Sequence, residues 1–291
     1  MMSIRRILKW SGLALLGLFG LVLLALLSIH TTMGRDLAKT FAVDGERIAV
    51  PSDAASIEEG RRQAQLRGCF QGCHGRAAEG AVMIRLFDGT RVVAPNLGHI
   101  AARYSVEELE RAIRRGVRPN GTSVVRLMPS EMLSTLSDED LGMIIAWLRI
   151  QPDDRDELPD SQYGPVARIM GFVFKRQFGT VLAAEAITQE QLVPHGTSAP
   201  ISRGRYLAET VCRECHGNDL HGAPDGSTSS LSIVTAYSRD DFDTLMHEGV
   251  AMGGRELGLM AAVSRSRFAH FTEDEISALY NYLNSVDTWF D

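Results

Sequence analysis

Hydrophobic positions are spread very unevenly along this chain. From Ser11 to Ile29 they run almost without interruption, nine leucines together with Phe19, Val22 and Ile29, and twenty uncharged residues separate Lys9 from His30. Nineteen residues at a helical rise span about 29 Å, close to the hydrocarbon thickness of a bilayer. The apolar region of a signal peptide is shorter, about 7 to 15 residues, and Thr32-Met33-Gly34 is a weak cleavage site. Twelve strongly apolar residues favour insertion by at most about 5 kcal/mol. The run therefore predicts a transmembrane helix within residues 1–30. Arg5, Arg6 and Lys9 precede it and Trp10 suits the near interface, so the positive-inside rule keeps the N-terminus cytoplasmic and exports everything after His30.

Beyond this run the pattern changes. Residues 31–56 have little periodicity and read as a tether. Gly60-Arg61 and Gly204-Arg205-Tyr206 begin helical patterns in which the glycine permits close approach of a second helix. Ser137-Asp138-Glu139-Asp140 and Thr272-Glu273-Asp274-Glu275 resemble capping boxes opening amphipathic helices that run to Trp147-Leu148 and Tyr282-Leu283. Residues 152–200 hold five of the ten prolines and read as a connection between two bodies, residues 57–151 and 201–291. Within that connection, Gly164 to Phe178 is too apolar to be solvated. It either packs across both bodies or lies on the membrane surface, with Arg168, Lys175 and Arg176 among headgroups. The pattern is all-α.

A length of 291 residues suits about two domains. A hydrophobic fraction of 45% and a charged fraction of 23% exclude wholesale disorder and a polytopic membrane protein. The net charge of −6 supplies no basic field for nucleic acid. Setting aside Arg5, Arg6 and Lys9, the exported part has 27 basic against 36 acidic residues, a charge of −9; this is read as a solvated face rather than a docking site.

The four cysteines form two pairs, each followed at once by histidine: Cys69-Phe70-Gln71-Gly72-Cys73-His74 and Cys212-Arg213-Glu214-Cys215-His216. The second is Cys-x-x-Cys-His, the attachment pattern of c-type haem. Two thiols one helical turn apart can each add to a haem vinyl group while the adjacent imidazole faces the iron. In a helix, separations of three and four place the thiols about 60° and 40° apart, on one face in both cases. Structural disulfides, a zinc site and a thioredoxin-like pair are the alternatives. A disulfide needs no histidine after each pair, zinc fingers want paired histidines, and no βαβ pattern surrounds the second motif.

The sequence after each cluster repeats. Tyr104-Ser105-Val106-Glu107-Glu108-Leu109 corresponds to Tyr237-Ser238-Arg239-Asp240-Asp241-Phe242, and Gly116-Val117 and Gly249-Val250 each follow their serine by eleven residues. Downstream, Met128 and Met260 stand at matching places as sixth ligands, with Pro129 helping to hold Met128 in an extended loop. Met252 competes with Met260, and His99, His221, His247 and His270 offer bis-histidine alternatives. A carbonyl near Pro95 could accept the Nδ1–H of His74. The second repeat is shorter there and lacks a matching proline, which favours an ordinary turn.

From about residue 57 onward the chain resembles tandem class I cytochrome c domains, most like the diheme and multiheme cytochrome c subunits of bacterial periplasmic dehydrogenases. The resemblance implies haem ligation by His74 and His216, thioether bonds from Cys69, Cys73, Cys212 and Cys215, and axial sulfur from Met128 and Met260. The four-residue spacing of the first pair departs from the family pattern. The resulting expectation is a diheme carrier anchored in a bacterial inner membrane, single-pass, with its C-terminal body in the periplasm. It would relay single electrons between redox partners: a dehydrogenase or quinol-oxidising complex, and a terminal oxidase or soluble cytochrome. The alternative is a diheme peroxidase, an enzyme that needs a reachable vacant iron.

Overall fold

The computed structural model describes residues 4–125, 127–153, 157–174, 200–223 and 225–286. The apolar run forms α1 (Ile4–Ala38), 35 residues long. It is long and apolar enough to cross a membrane, a test that a signal sequence also passes. Its leucines from Leu13 to Leu27 are exposed, so none of the described residues covers them. The helix continues past Ile29, and Met33 is buried.

Two similar bodies follow. In the first, α2 (Ala54–Leu66) starts at Asp53, whose side chain accepts from the Ser56 amide. A hairpin, β1 (Ala81–Arg85) with β2 (Arg91–Ala94), pairs antiparallel with Ala81 opposite Ala94. Next come α3 (Leu97–Arg103), α4 (Val106–Arg114), α5 (Ser130–Leu133) and α6 (Asp138–Arg149). Then α7 (Pro165–Phe174) returns to α1. The second body holds α8 (Pro200–Leu207), α9 (Arg213–His216), α10 (Arg239–Glu248), the short ribbon β3 (Val250–Ala251) with β4 (Arg255–Glu256), α11 (Leu259–Ser266) and α12 (Glu273–Asn284). The chain is mostly helical, as the pattern predicts, and the hairpin is an addition to it.

In each body the first helix crosses a later one at a glycine, α2 on α6 and α8 on α12. A Cβ on Gly60 would lie 1.9 Å from the Met143 carbonyl oxygen, and one on Gly204 2.0 Å from that of Ala278. Only a residue without a side chain permits these approaches, which form the expected helix contact. Ser137 caps α6 by accepting from the Asp140 amide, while Thr272 and Glu275 complete a full capping box on α12. The Asp140 carboxylate is engaged elsewhere. Ser105 and Ser238 cap α4 and α10 in the same way.

Residues 31–56 are not a free tether. Thr40 bridges Thr122, Phe41 donates its amide to the Gly121 carbonyl at 2.8 Å, and Glu46 donates its amide to Glu110 at 2.9 Å. Ile48 is buried in the core. An aperiodic segment can be fully held by backbone bonds to neighbours distant in sequence, which periodicity cannot report. The described part of 152–200 likewise belongs to the first body rather than to a linker. Gln162 pairs with Arg91, Ser161 accepts from the Val93 amide at 2.9 Å, and Val166 donates its amide to Asp88 at 2.7 Å. Helix α7 rests on α1, where Arg168 donates to the His30 carbonyl at 2.9 Å. It buries Ala167 and leaves Phe172, Val173 and Phe174 exposed. Lys175 and Arg176 lie outside the described residues.

The two bodies meet across a polar seam. Arg62 donates to Glu275 at 2.6 Å and to the His270 carbonyl at 2.9 Å. Gln65 donates to the Ser266 carbonyl at 2.9 Å. Arg67, fully buried, pairs with Asp140 at 3.1 Å and donates to Tyr206 and Thr210 at 3.3 and 3.2 Å.

Candidate haem site

The first cysteine cluster is not helical, contrary to the geometry expected of it. Helix α2 stops at Leu66, and the chain turns through Gly68 (φ 70°), Gln71 (φ 59°) and Gly75 (φ 82°). The Gln71 amide donates to the Gly75 carbonyl at 2.8 Å, closing a loop that absorbs the extra residue between Cys69 and Cys73. The second cluster does lie on helix. The chain widens into a π turn over Ala208–Cys212 and tightens into α9 through His216; such bulges recur at functional positions.

Past each histidine the backbone follows one course. The His74 carbonyl accepts from the Gly80 amide at 2.9 Å and the His216 carbonyl from Gly222 at 2.8 Å. Ala78 and Leu220, each four residues after its histidine, are both left-handed, at φ 60° and 64°. The His74 Nδ1 lies 2.8 Å from the Pro95 carbonyl oxygen and the His216 Nδ1 2.8 Å from that of Ser229. A carbonyl can only accept, so Nδ1 carries a proton in each ring and Nε2 is the nitrogen left to face a metal. The preference for an ordinary turn at Pro95 is thus overturned, and the absence of a second proline is immaterial. In both bodies the acceptor immediately precedes a helix cap, Asn96 on α3 and Ser230 on the turn Leu231–Ala236. The available signal was the cap, since any residue supplies a carbonyl. The hairpin β1–β2 accounts for the longer path in the first body.

Cys69, Cys73, His74 and Met128 all line one cavity, with Leu97, Ile100 and Leu148 among its apolar walls. The cavity opens to solvent at its mouth, and the unfilled space, that mouth included, comes to about 1330 Å³. Two thiols, a tautomer-fixed imidazole and a thioether around an apolar space fit a haem. Burial lowers the His74 pKa, against the Pro95 hydrogen bond, which favours the neutral ring that a metal ligand requires. Burial also pushes the Cys69 thiol up to about 11 and Cys212 up to about 12. None of the four thiols is in a disulfide.

Met260 stands half-buried in the first turn of α11 and packs against the core, whereas Met252, in the turn of the short ribbon, is 43% exposed. The alternative histidines are engaged elsewhere. His99 faces the Asp153 carbonyl and does not line the cavity, His221 faces the Asp219 carbonyl, His247 pairs with Asp243 and His270 lies 2.7 Å from Gln65. Sequence reasoning missed two further wall residues, Arg67 and Glu214, the latter supplied by the second body.

A neutral imidazole beside paired thiols on an apolar cavity has the chemistry that covalent haem attachment needs. Residues 201–287, within the second body, match the family model for cytochrome c, a family that implies covalently bound haem c and electron transport. The chain is 23% identical over 269 residues to the fructose dehydrogenase cytochrome subunit of Gluconobacter japonicus, covering 83% of this chain and 52% of that protein. It is 25% identical over 279 residues to the cytochrome c subunit of the quinone alcohol dehydrogenase of Gluconobacter oxydans, covering 83% and 57%. To the gluconate 2-dehydrogenase cytochrome c subunit of Pantoea cypripedii it is 26% identical over 219 residues, covering 63% and 47%. The chain spans about half the length of the curated relatives it matches.

Proposed function

We propose that this chain is a membrane-anchored diheme electron carrier built from two tandem class I cytochrome c domains, residues 57–151 and 201–291. One haem c is held by Cys69, Cys73, His74 and Met128, the other by Cys212, Cys215, His216 and Met260. The observation that carries the reading is the matched pair of imidazoles, each with its Nδ1 at 2.8 Å from a carbonyl oxygen that precedes a helix cap. Covalent haem supplies one-electron exchange between ferric and ferrous iron. The chain's own residues do the rest. The thiols tether the porphyrin, the carbonyls of Pro95 and Ser229 aim the imidazoles, and the apolar walls exclude water. Were Met128 and Met260 to hold the irons together with His74 and His216, no position would remain for peroxide. The similar proteins named above are cytochrome subunits, which lends a peroxidase no support.

Helix α1 serves as the anchor. It runs on to Ala38 and Arg168 grips its His30 carbonyl, a contact with the body that a cleaved leader has no reason to build. Arg5, Arg6 and Lys9 then keep the N-terminus cytoplasmic and the body periplasmic. Phe172, Val173 and Phe174 sit beside this helix and suit the lipid interface. The partner that delivers electrons is a membrane or periplasmic dehydrogenase, by similarity to the dehydrogenase subunits. An inner-membrane quinol-oxidising complex is the other possible donor, and a terminal oxidase or soluble cytochrome receives the electrons. The test is the reduced-state absorbance spectrum with intact mass, after export in a host that attaches haem. Two added haems and a c-type spectrum are expected; a colourless product of unaltered mass overturns the proposal.

A further inference from the structure

The two cysteine clusters approach one another at the seam, and one charged pair stands between them. Arg267 follows α11 in the second body and is 8% exposed. Its Nε donates to the Leu66 carbonyl of the first body at 3.1 Å, and its Nη1 donates to Glu214 at 2.9 Å. The guanidinium packs so tightly over Gly68, the neighbour of Cys69, that a Cβ there would lie 2.9 Å from Cζ. Glu214 is equally placed between two sites. It sits within the second motif, between Cys212 and Cys215, yet lines the cavity of the first. Arg267 Nη2 is buried without a hydrogen-bond acceptor among the described residues, the condition of a donor that a bound group completes.

Reduction adds one negative charge at an iron site. A nearby cation therefore stabilises the reduced form and raises the potential, while a nearby anion lowers it. In a low-dielectric seam such charges are poorly screened, so one side chain can act on two sites.

We propose that Arg267 and Glu214 form a shared electrostatic bridge between the two haem sites, the arginine holding both reduction potentials up and the glutamate holding both down. Both act through their charge and neither belongs to the ligand set proposed above. The proposal rests on the diheme reading above and deepens it: charge at this seam, rather than ligand chemistry alone, sets the level of both sites.

The experiment is a potentiometric titration of the full-length chain in detergent, followed by haem absorbance, with intact mass recorded for every variant. Arg267→Gln is expected to shift both midpoints downward, Arg267→Lys to shift both less, and Glu214→Gln to shift both upward. The opposite signs matter because simple loosening of the seam admits water, which favours the charged ferric form and lowers potentials for either substitution. Shifts of the same sign for Arg267→Gln and Glu214→Gln, movement of only one midpoint, or no movement overturns the bridge. Should Arg267→Gln fail to fold, Glu214→Gln decides alone: a rise in both midpoints supports the bridge and any other result overturns it. An unaltered chain with fewer than two haems by mass overturns the diheme reading and this one with it, and mass distinguishes that failure from the others.

Discussion

Tyr206 of the second body donates its hydroxyl to Asp140 of the first at 2.5 Å, and both residues are buried. The carboxylate that sequence pattern assigns to a helix cap is thereby turned into a cross-body acceptor, shared with the fully buried Arg67. Removing the hydroxyl in Tyr206→Phe leaves a buried acceptor underused and is expected to cost about 1–3 kcal/mol. Asp140→Ala strands a buried guanidinium and is expected to cost about 3–5 kcal/mol. Denaturant unfolding of the holoprotein measures both, and Asp140→Ala must be the larger loss.

The glycine crossings predict a second stability effect. Alanine is favoured over glycine within a helix by about 1 kcal/mol, yet Gly60→Ala and Gly204→Ala would each drive a methyl group into a carbonyl oxygen about 2 Å away. The steric cost exceeds the propensity gain, and each variant is expected to lose about 1–3 kcal/mol net. Thermal unfolding reads the result, and a rise in Tm for either variant contradicts the packing described here.

Acid sensitivity follows from Glu275. Burial disfavours its ionised form, but hydrogen bonds from Arg62 and the Thr272 amide and the charges of Arg62 and Arg203 prevail, holding its pKa at about 2 against an ordinary 4.5. A depressed carboxylate pKa contributes stability that is complete above the unfolded value and is lost as pH falls from about 4.5 through about 2. The contribution at neutral pH is about 3 kcal/mol. Unfolding free energy measured across that window is expected to fall steeply in the unaltered chain and less steeply in Glu275→Gln.

Ligand identity has its own check. On the diheme proposal, Met128→Leu keeps both thiol pairs and both histidines, so two haems are expected by intact mass, while roughly half of the methionine-to-iron absorbance band is expected to disappear, one site of two. Met260→Leu removes the other half. Persistence of the full band in Met260→Leu, with its loss in Met252→Leu, transfers the second ligand to Met252.

What sequence alone determined are the features whose physics is local. An uninterrupted apolar run specifies a membrane-length helix, a serine and a threonine cap specify where α6 and α12 begin, and the spacing of Cys212, Cys215 and His216 points to its chemistry without any neighbour. The glycines at 60 and 204 were legible for the same reason, since only a missing side chain allows backbone contact. Tertiary structure decided what depends on distant partners. The loop that carries Cys69 leaves the helix at Arg67, residues 39–53 are strapped onto the first body, and the imidazoles find carbonyls at Pro95 and Ser229. Backbone carbonyls carry no residue signature, so neither those acceptors nor the seam that brings Glu214 to the first cavity could be read before the chain was folded.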